Sequence, residues 1–280
     1  MNIESAINQA NLILEKKKIR SAKLDSEILL CKVIKKDRKF VILNHKQELE
    51  KDIFNNFISL INERSNGKPI AHLLGKKNFW NYEFEISDST LVPRPDTELI
   101  IEEVLRLSKN KKKLKILDIG VGSGCILLSI LDERKDFHGI GIDISKECIK
   151  LSKRNALGIG VKNRAKFFKS NVDNFNYGKY DLIISNPPYI KRASLKYLDR
   201  DVKNFEPKLA LDGGIDGLSE IRKVITKSSE LIKINGKFVL EIGFDQKQEV
   251  KQILKNKGFY INKILKDYAG NYRCIVSTKK

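Results

Sequence analysis

The chain is 280 residues long, enough for one large domain and a small one, and its 41% hydrophobic and 32% charged content is that of a soluble globular protein. No apolar run approaches the roughly 20 residues of a membrane span, and Met1-Asn2-Ile3-Glu4-Ser5 lacks the basic and apolar regions of a secretion leader, so the cytoplasm is the expected location. Four cysteines (Cys31, Cys125, Cys148, Cys274) and three histidines (His45, His72, His138) lie far apart, which argues against a disulfide framework or a metal site; the net charge of +19 is spread along the chain and tolerates a partner near RNA without forming a nucleic-acid arm.

Through residue 65 the apolar residues keep helical spacing: Ile3, Ala6, Ile7, Ala10 and Leu14; then Leu24, Ile28, Leu29 and Val33; then Phe54, Phe57, Ile58 and Ile61. Three or more such helices predict a small bundle over 1–75, stopped by Gly67 and Pro69. From Phe79 to Val92 the period changes to two, and the turn cluster Ser87-Asp88-Ser89 suggests a β-hairpin linker over 76–92. Pro93-Arg94-Pro95-Asp96-Thr97-Glu98 then opens a helix, with prolines at its first turn and acids complementing its dipole.

Beyond Lys113 strands alternate with helices. Strands are expected near 115–119, 138–143, 165–169, 180–185, 237–242, 259–266 and 272–278, and helices near 123–134, 145–157, 217–234 and 246–256. The pattern predicts an α/β domain over 93–280, built on a doubly wound, mostly parallel seven-stranded sheet. The last two strands are joined by too few residues for a helical crossover and should form an antiparallel hairpin.

Two segments of this domain carry chemistry. Lys115 to Ile119 runs into Gly120-Val121-Gly122-Ser123-Gly124, where glycines let backbone approach a ligand closely. The dinucleotide fingerprint would place its third glycine at position 125, which is Cys125; the observed G-x-G-x-G resembles the cofactor loop of S-adenosylmethionine methyltransferases. A tight strand-to-helix turn is the plain alternative. Asp143, ending the next strand, can accept from both hydroxyls of a ribose, while Ser145 is available to cap the following helix. The second segment is Asn186-Pro187-Pro188-Tyr189, closing the apolar strand Tyr180 to Ser185. The prolines fix the backbone, so the Pro187 carbonyl and the Asn186 side-chain carbonyl become rigid acceptors for a planar –NH2 group, and Tyr189 offers a face for stacking. Two acceptors pulling on those hydrogens favour a pyramidal nitrogen that attacks an electrophile. A plain turn is again the alternative. In a doubly wound sheet the two segments should open into one crevice at the switch point, with no general base required.

Nearly the whole chain resembles one family, the N5-glutamine methyltransferases of peptide chain release factors, the HemK/PrmC type. The resemblance lies in Gly67-Lys68-Pro69-Ile70-Ala71-His72-Leu73-Leu74-Gly75, Leu91 to Glu98, Gly120 to Gly124, Asp143, Ser185 to Ile190, Glu206-Pro207, Ala210 to Gly217, and Leu240-Glu241-Ile242-Gly243. Asn-Pro-Pro-Tyr alone is shared with adenine-N6 methyltransferases, so a nucleic-acid amino methyltransferase is the alternative reading, and a non-catalytic cofactor-binding adaptor a more distant one. The resemblance implies S-adenosyl-L-methionine held by Gly120, Val121, Gly122, Ser123, Gly124, Asp143 and Asn186. It implies a release-factor glutamine held by Asn186, Pro187, Pro188 and Tyr189, with Asn186, Pro187 and Tyr189 catalytic, and the bundle recognising the substrate protein. Arg94 is a further substrate candidate, with helix capping or hairpin packing as alternatives for it and for Thr97. The family's usual Ser-Asp-Trp is Ser170-Asn171-Val172 here: Asn171 can still bond an adenine, but Val172 cannot stack on it as Trp would.

Overall fold

The computed structural model describes residues 1–280 and divides into two compact units, Met1–Lys76 with Asp199–Phe205, and Lys77–Leu198 with Glu206–Lys280. The first is helical: Ile3–Lys16, Ala22–Ile34, Arg38–Leu43, Lys51–Ser65 and Ile70–Leu74. The Asn2 and Asp37 side chains accept from the amides of Ser5 and Phe40, satisfying donors that a helix start leaves open. Ile3, Ala6, Ala10 and Leu14 line one face of the first helix and are buried with Leu29, Leu30, Phe57, Ile61 and Leu73. The short helix Arg200–Phe205, distant in sequence, belongs to this unit.

A hairpin follows, β1 (Lys76–Phe79) and β2 (Tyr82–Glu85), of which all but Lys76 belongs to the second unit. It turns at Trp80-Asn81, with Trp80 at φ 55°, rather than at Ser87-Asp88-Ser89 as the alternation suggested. The later turn exists as a local loop closed by Thr90, whose hydroxyl donates to the Ser87 carbonyl at 2.9 Å. No strand follows it, because Pro93 and Pro95 have no N–H to give a ladder. A 3₁₀ turn, Pro95–Thr97, leads into the helix Glu98–Leu107.

The remaining strands are β3 (Lys115–Ile119), β4 (His138–Asp143), β5 (Ala165–Lys169), β6 (Tyr180–Ser185), β7 (Ile232–Glu241), β8 (Phe259–Lys266) and β9 (Tyr272–Lys279). They form one sheet in the order β5-β4-β3-β6-β7-β9-β8, with β9 antiparallel to both neighbours. The expected doubly wound sheet is therefore present, and its final hairpin places β9 inside and β8 at the edge. Both faces are covered. Ile116 and Leu117, adjacent on β3, enter opposite apolar layers, as do Ile184 and Ile183 on β6. The helix expected from residue 123 starts at Cys125, because Gly124 is left-handed at φ 84°. The helix expected to reach 234 ends at Leu231, where β7 begins early. No helix is long and apolar enough to cross a membrane.

In the helical unit Arg64 is buried and donates to Asp25 at 2.7 Å, Asp201 at 3.0 Å and the Lys68 carbonyl at 3.2 Å. Asp25 is buried too, and removing one member of a buried ion pair leaves the other charge uncompensated. Arg64→Met is therefore expected to destabilise the protein by about 3 to 5 kcal/mol, read as a lowered denaturation midpoint by circular dichroism; an unmoved midpoint would count against this role.

Candidate active site

β3 and β6 run side by side with Ile119 opposite Ser185, and the buried Ser185 hydroxyl donates to the Ile119 carbonyl at 2.7 Å. The segments that follow, Gly120 to Gly124 and Asn186 to Tyr189, therefore leave the sheet together at its carboxyl edge, where the strand order reverses.

Gly120, Gly122 and Gly124 all have positive φ, at 79°, 55° and 84°. A Cβ on Gly120 or Gly122 would meet nothing within 4 Å, so those two glycines border open space; one on Gly124 would lie 2.8 Å from Leu128 Cδ1. The loop is anchored from behind. The Gly120 and Val121 amides both donate to the Ile142 carbonyl at 2.9 Å. The Ser152 hydroxyl and the Asn155 amide donate to the carbonyls of Gly122 and Ser123 at 2.8 Å, and Asn155 also bonds both backbone groups of Glu85. Val121 and Ser123 are buried and turn away from that space, so their side chains serve the loop's shape.

Two carboxylates flank the loop. Asp143 accepts from the Gly122 and Ser145 amides at 2.9 Å, one on each oxygen, and Ser145 caps the next helix. Burial raises the Asp143 pKa, and these amides pull it back. Asp118, next to last in β3, is buried, and no hydrogen bond of normal geometry reaches either of its oxygens. Burial first and the Asp143 charge second push its pKa up to about 8, with the Leu127 amide countering only in part. A ligand bringing a positive charge or N–H donors would complete this pair of acids, and the open glycine backbone provides the approach. Asn171 spends its side-chain oxygen on the Asp173 amide at 3.1 Å, which leaves its –NH2 as the group free to bond a ring nitrogen. Val172 packs against the apolar layer beneath β6 and β7.

The tetrapeptide is braced on several sides. Asn186 Nδ2 donates to the Thr97 hydroxyl at 3.2 Å, and the half-buried Tyr189 donates to Glu241 Oε1 at 3.3 Å. Glu241 is buried at the end of β7 and its Oε2 has no partner. Burial lifts its pKa to about 7, against the Thr97 hydroxyl, Arg273 and Tyr189, which favour its charge. The Gly213 to Gly217 segment covers the backbone beyond Tyr189. Ile190 pairs with Asp212, and the Gly213 amide donates to the Ile190 carbonyl at 2.9 Å. A Cβ on Gly213 would sit 2.8 Å from Tyr189 Cα, and one on Gly217 2.6 Å from the Tyr189 carbonyl, so only glycine permits this approach. Buried Gln246 bridges the two, donating at 2.9 Å to the carbonyls of Tyr189 and Gly217. Arg94 makes a close ion pair with buried Glu206; it stands at the N-cap position of the Pro95–Thr97 turn, where its side chain makes no capping hydrogen bond.

The structure thus gathers the glycine loop, Asp143 and the Asn-Pro-Pro-Tyr segment at one edge of the sheet, while Arg94 is engaged by Glu206. Asp118, Glu241 and Gln246 went unassigned in the sequence reading. Asp118 stands two positions before Gly120 in the glycine-loop pattern and Glu241 lies in the Leu240 to Gly243 segment of the resemblance, so both were in view without a role, whereas Gln246 left no signal.

The family model described as PrmC N-terminal domain matches residues 5–75, and that described as methyltransferase small domain matches 96–206. A release factor glutamine methyltransferase of Clostridium acetobutylicum is 36% identical over all of this chain and 99% of its own length, and one of Buchnera aphidicola is 37% identical over 100% of both chains. Among solved structures, a methyltransferase of Pyrococcus furiosus overlays 80% of this chain and 98% of its own with TM-score 0.54 at 19% identity. A ribosomal protein L11 methylase of Lactobacillus delbrueckii overlays 70% of this chain and 84% of its own with TM-score 0.52 at 16% identity; likeness at that level speaks for the fold. With relatives this similar along its full length, the chain belongs to the release factor glutamine methyltransferase family.

Proposed function

We propose that the chain transfers a methyl group from S-adenosyl-L-methionine to the side-chain amide nitrogen (N5) of the glutamine in the Gly-Gly-Gln motif of class 1 peptide chain release factors. The observation that carries this reading is the side-by-side exit of the glycine loop and Asn186 from β3 and β6, in a chain of this family. Residues Gly120 to Gly124, Asp118 and Asp143 would hold the cofactor, which supplies an electrophilic methyl when bound. Asp143 retains lone pairs for a ribose, and Asn171 can donate to the adenine ring. On the other side the Pro187 carbonyl and Asn186 Oδ1 accept from the two hydrogens of the glutamine –NH2, against the ring of Tyr189. That arrangement weakens the amide's own conjugation and turns the nitrogen lone pair out of the amide plane. The proton shed on methylation passes to solvent. The 1–75 bundle would recognise the release factor, and the nucleic-acid alternative is not favoured by relatives matched over their full length.

Incubation with a release factor and S-adenosyl-L-methionine is expected to add one methyl to the Gly-Gly-Gln glutamine by peptide mass spectrometry, and transfer to DNA or RNA in its place would reject the reading. Asn186→Ala is expected to lower kcat by about 100-fold or more, the scale on which a positioned acceptor acts. Asp118 gives a pH-dependent test. Its pKa is raised from 3.8 to about 8, so between those values the folded state holds more protons than the unfolded one and stability falls as pH rises. Asp118→Asn is thus expected to raise Tm near pH 8, with the gain vanishing toward pH 4, while weakening cofactor binding about tenfold in a calorimetric titration. A Tm gain equal at all pH values would contradict this assignment.

A further inference from the structure

Gln246 stands at the N-cap position of the helix Lys247–Asn256, yet its side chain makes no capping hydrogen bond. Short polar residues are the usual caps because they reach the amides of their own helix; a glutamine is longer, and this one reaches away from it. Both ends of its buried carboxamide are engaged: Oε1 accepts from the Gly243 amide at 2.9 Å, and Nε2 donates at 2.9 Å to the carbonyls of Tyr189 and Gly217. With one backbone donor and two backbone acceptors around it, the group fits in a single orientation. The surrounding backbone is shaped to it, since a Cβ on Gly217 would lie 2.7 Å from Nε2 and one on Gly243 2.9 Å from Oε1. No other donor is at hand. No backbone amide donates to the Tyr189 or Gly217 carbonyl, and those nearby are spent: Gly213 on the Ile190 carbonyl, Gly214 on Asp212, Gly217 on the Gly214 carbonyl and Leu218 on Asp216. Without Gln246, two carbonyls in close-packed backbone would be left with no proton to share.

We propose that Gln246 is a positioning residue for methyl transfer: by bonding Tyr189 and the Gly213 to Gly217 segment at once, it fixes the carboxyl end of the tetrapeptide and with it the ring against which the substrate amide lies. The inference rests on the function proposed above for the same site. Pro187 and Pro188 restrict the backbone ahead of Tyr189, but the torsions of Tyr189 itself are set by whatever holds its two ends. Its hydroxyl is on Glu241 at 3.3 Å and its carbonyl on Gln246, so both grips come from the end of β7 and the turn that follows it. The glycine loop is held by a different set, the Ile142 carbonyl with Ser152 and Asn155. Loss of Gln246 therefore loosens the side that holds the amide and leaves the cofactor side in place. A general weakening of the fold would not separate the two.

The test uses the full chain, two variants and two readouts. Gln246→Met keeps the length of the side chain without its hydrogen bonds, and Gln246→Ser supplies a preferred cap for the helix Lys247–Asn256 that cannot reach either carbonyl. In kinetics with a release factor, both are expected to lower kcat by roughly 10- to 100-fold, with KM for S-adenosyl-L-methionine within about twofold of wild type. By hydrogen exchange in the free protein, the amides of Ile190 and Gly213 are expected to exchange about tenfold faster in both variants, and those of Gly120 and Val121 at the wild-type rate. Gln246→Ser with wild-type kcat would mean that a helix cap is all the position requires, and would overturn the inference. So would faster exchange at Ile190 and Gly213 with kcat unchanged, exchange that rises equally at Gly120 and Val121, or a KM for S-adenosyl-L-methionine that rises in step with the fall in kcat. Absence of any methyl transfer by the wild type would reject the proposed function instead, and the exchange of Ile190 and Gly213 would then decide alone whether Gln246 holds the tetrapeptide.

Discussion

Ile119 and Ser185 face each other across two parallel strands, and the hydroxyl of Ser185 ties them together at the point where both chains leave the sheet. That register places the glycine loop beside a rigid proline pair. A slip of one residue would turn Ile116, Leu117, Ile183 and Ile184 into the wrong apolar layers, so the packing on both faces holds the two segments at a fixed separation. The separation of the two segments at this edge is therefore secured by side chains buried in the apolar layers of the sheet.

The edge is also where the domain accepts unfavourable electrostatics. Asp118 and Glu241 are buried, each has an oxygen without a partner, and their ordinary acidity is suppressed by burial. Each is an incomplete hydrogen-bonding site, one beside the glycine loop and one beside the tetrapeptide. Acids so placed are costly in a core. Elsewhere buried acids have an ion-pair partner: Asp25 has Arg64, and Glu206 has Arg94 on one oxygen while its Oε2 has no partner.

The tetrapeptide illustrates how stiffness is shared. Prolines limit the backbone from within, while Gly213 and Gly217 let a second segment lie directly on the Tyr189 and Ile190 backbone, and Gln246 joins the two. Proline supplies rigidity within the tetrapeptide, and glycine supplies proximity where it is braced. Each residue is used for the property that excludes it from ordinary strands.

Periodicity made the helical bundle and the alternating strands legible, because burial of one helix face or of a whole strand imposes its spacing on neighbouring residues. Gly120 to Gly124 and Asn186 to Tyr189 were equally legible, since backbone at positive φ and backbone without N–H groups each demand a particular residue. The hairpin was harder: the turn at Trp80-Asn81 uses a left-handed tryptophan, which no propensity suggests, and the Ser87-Asp88-Ser89 turn leads nowhere because prolines follow. Thr97 and Glu241 lie 89 and 52 residues from the ends of the tetrapeptide that they contact. Local sequence carries the conformation of each segment, but which distant hydroxyl meets which buried acid depends on strand order and register, and those arise only when the whole sheet packs.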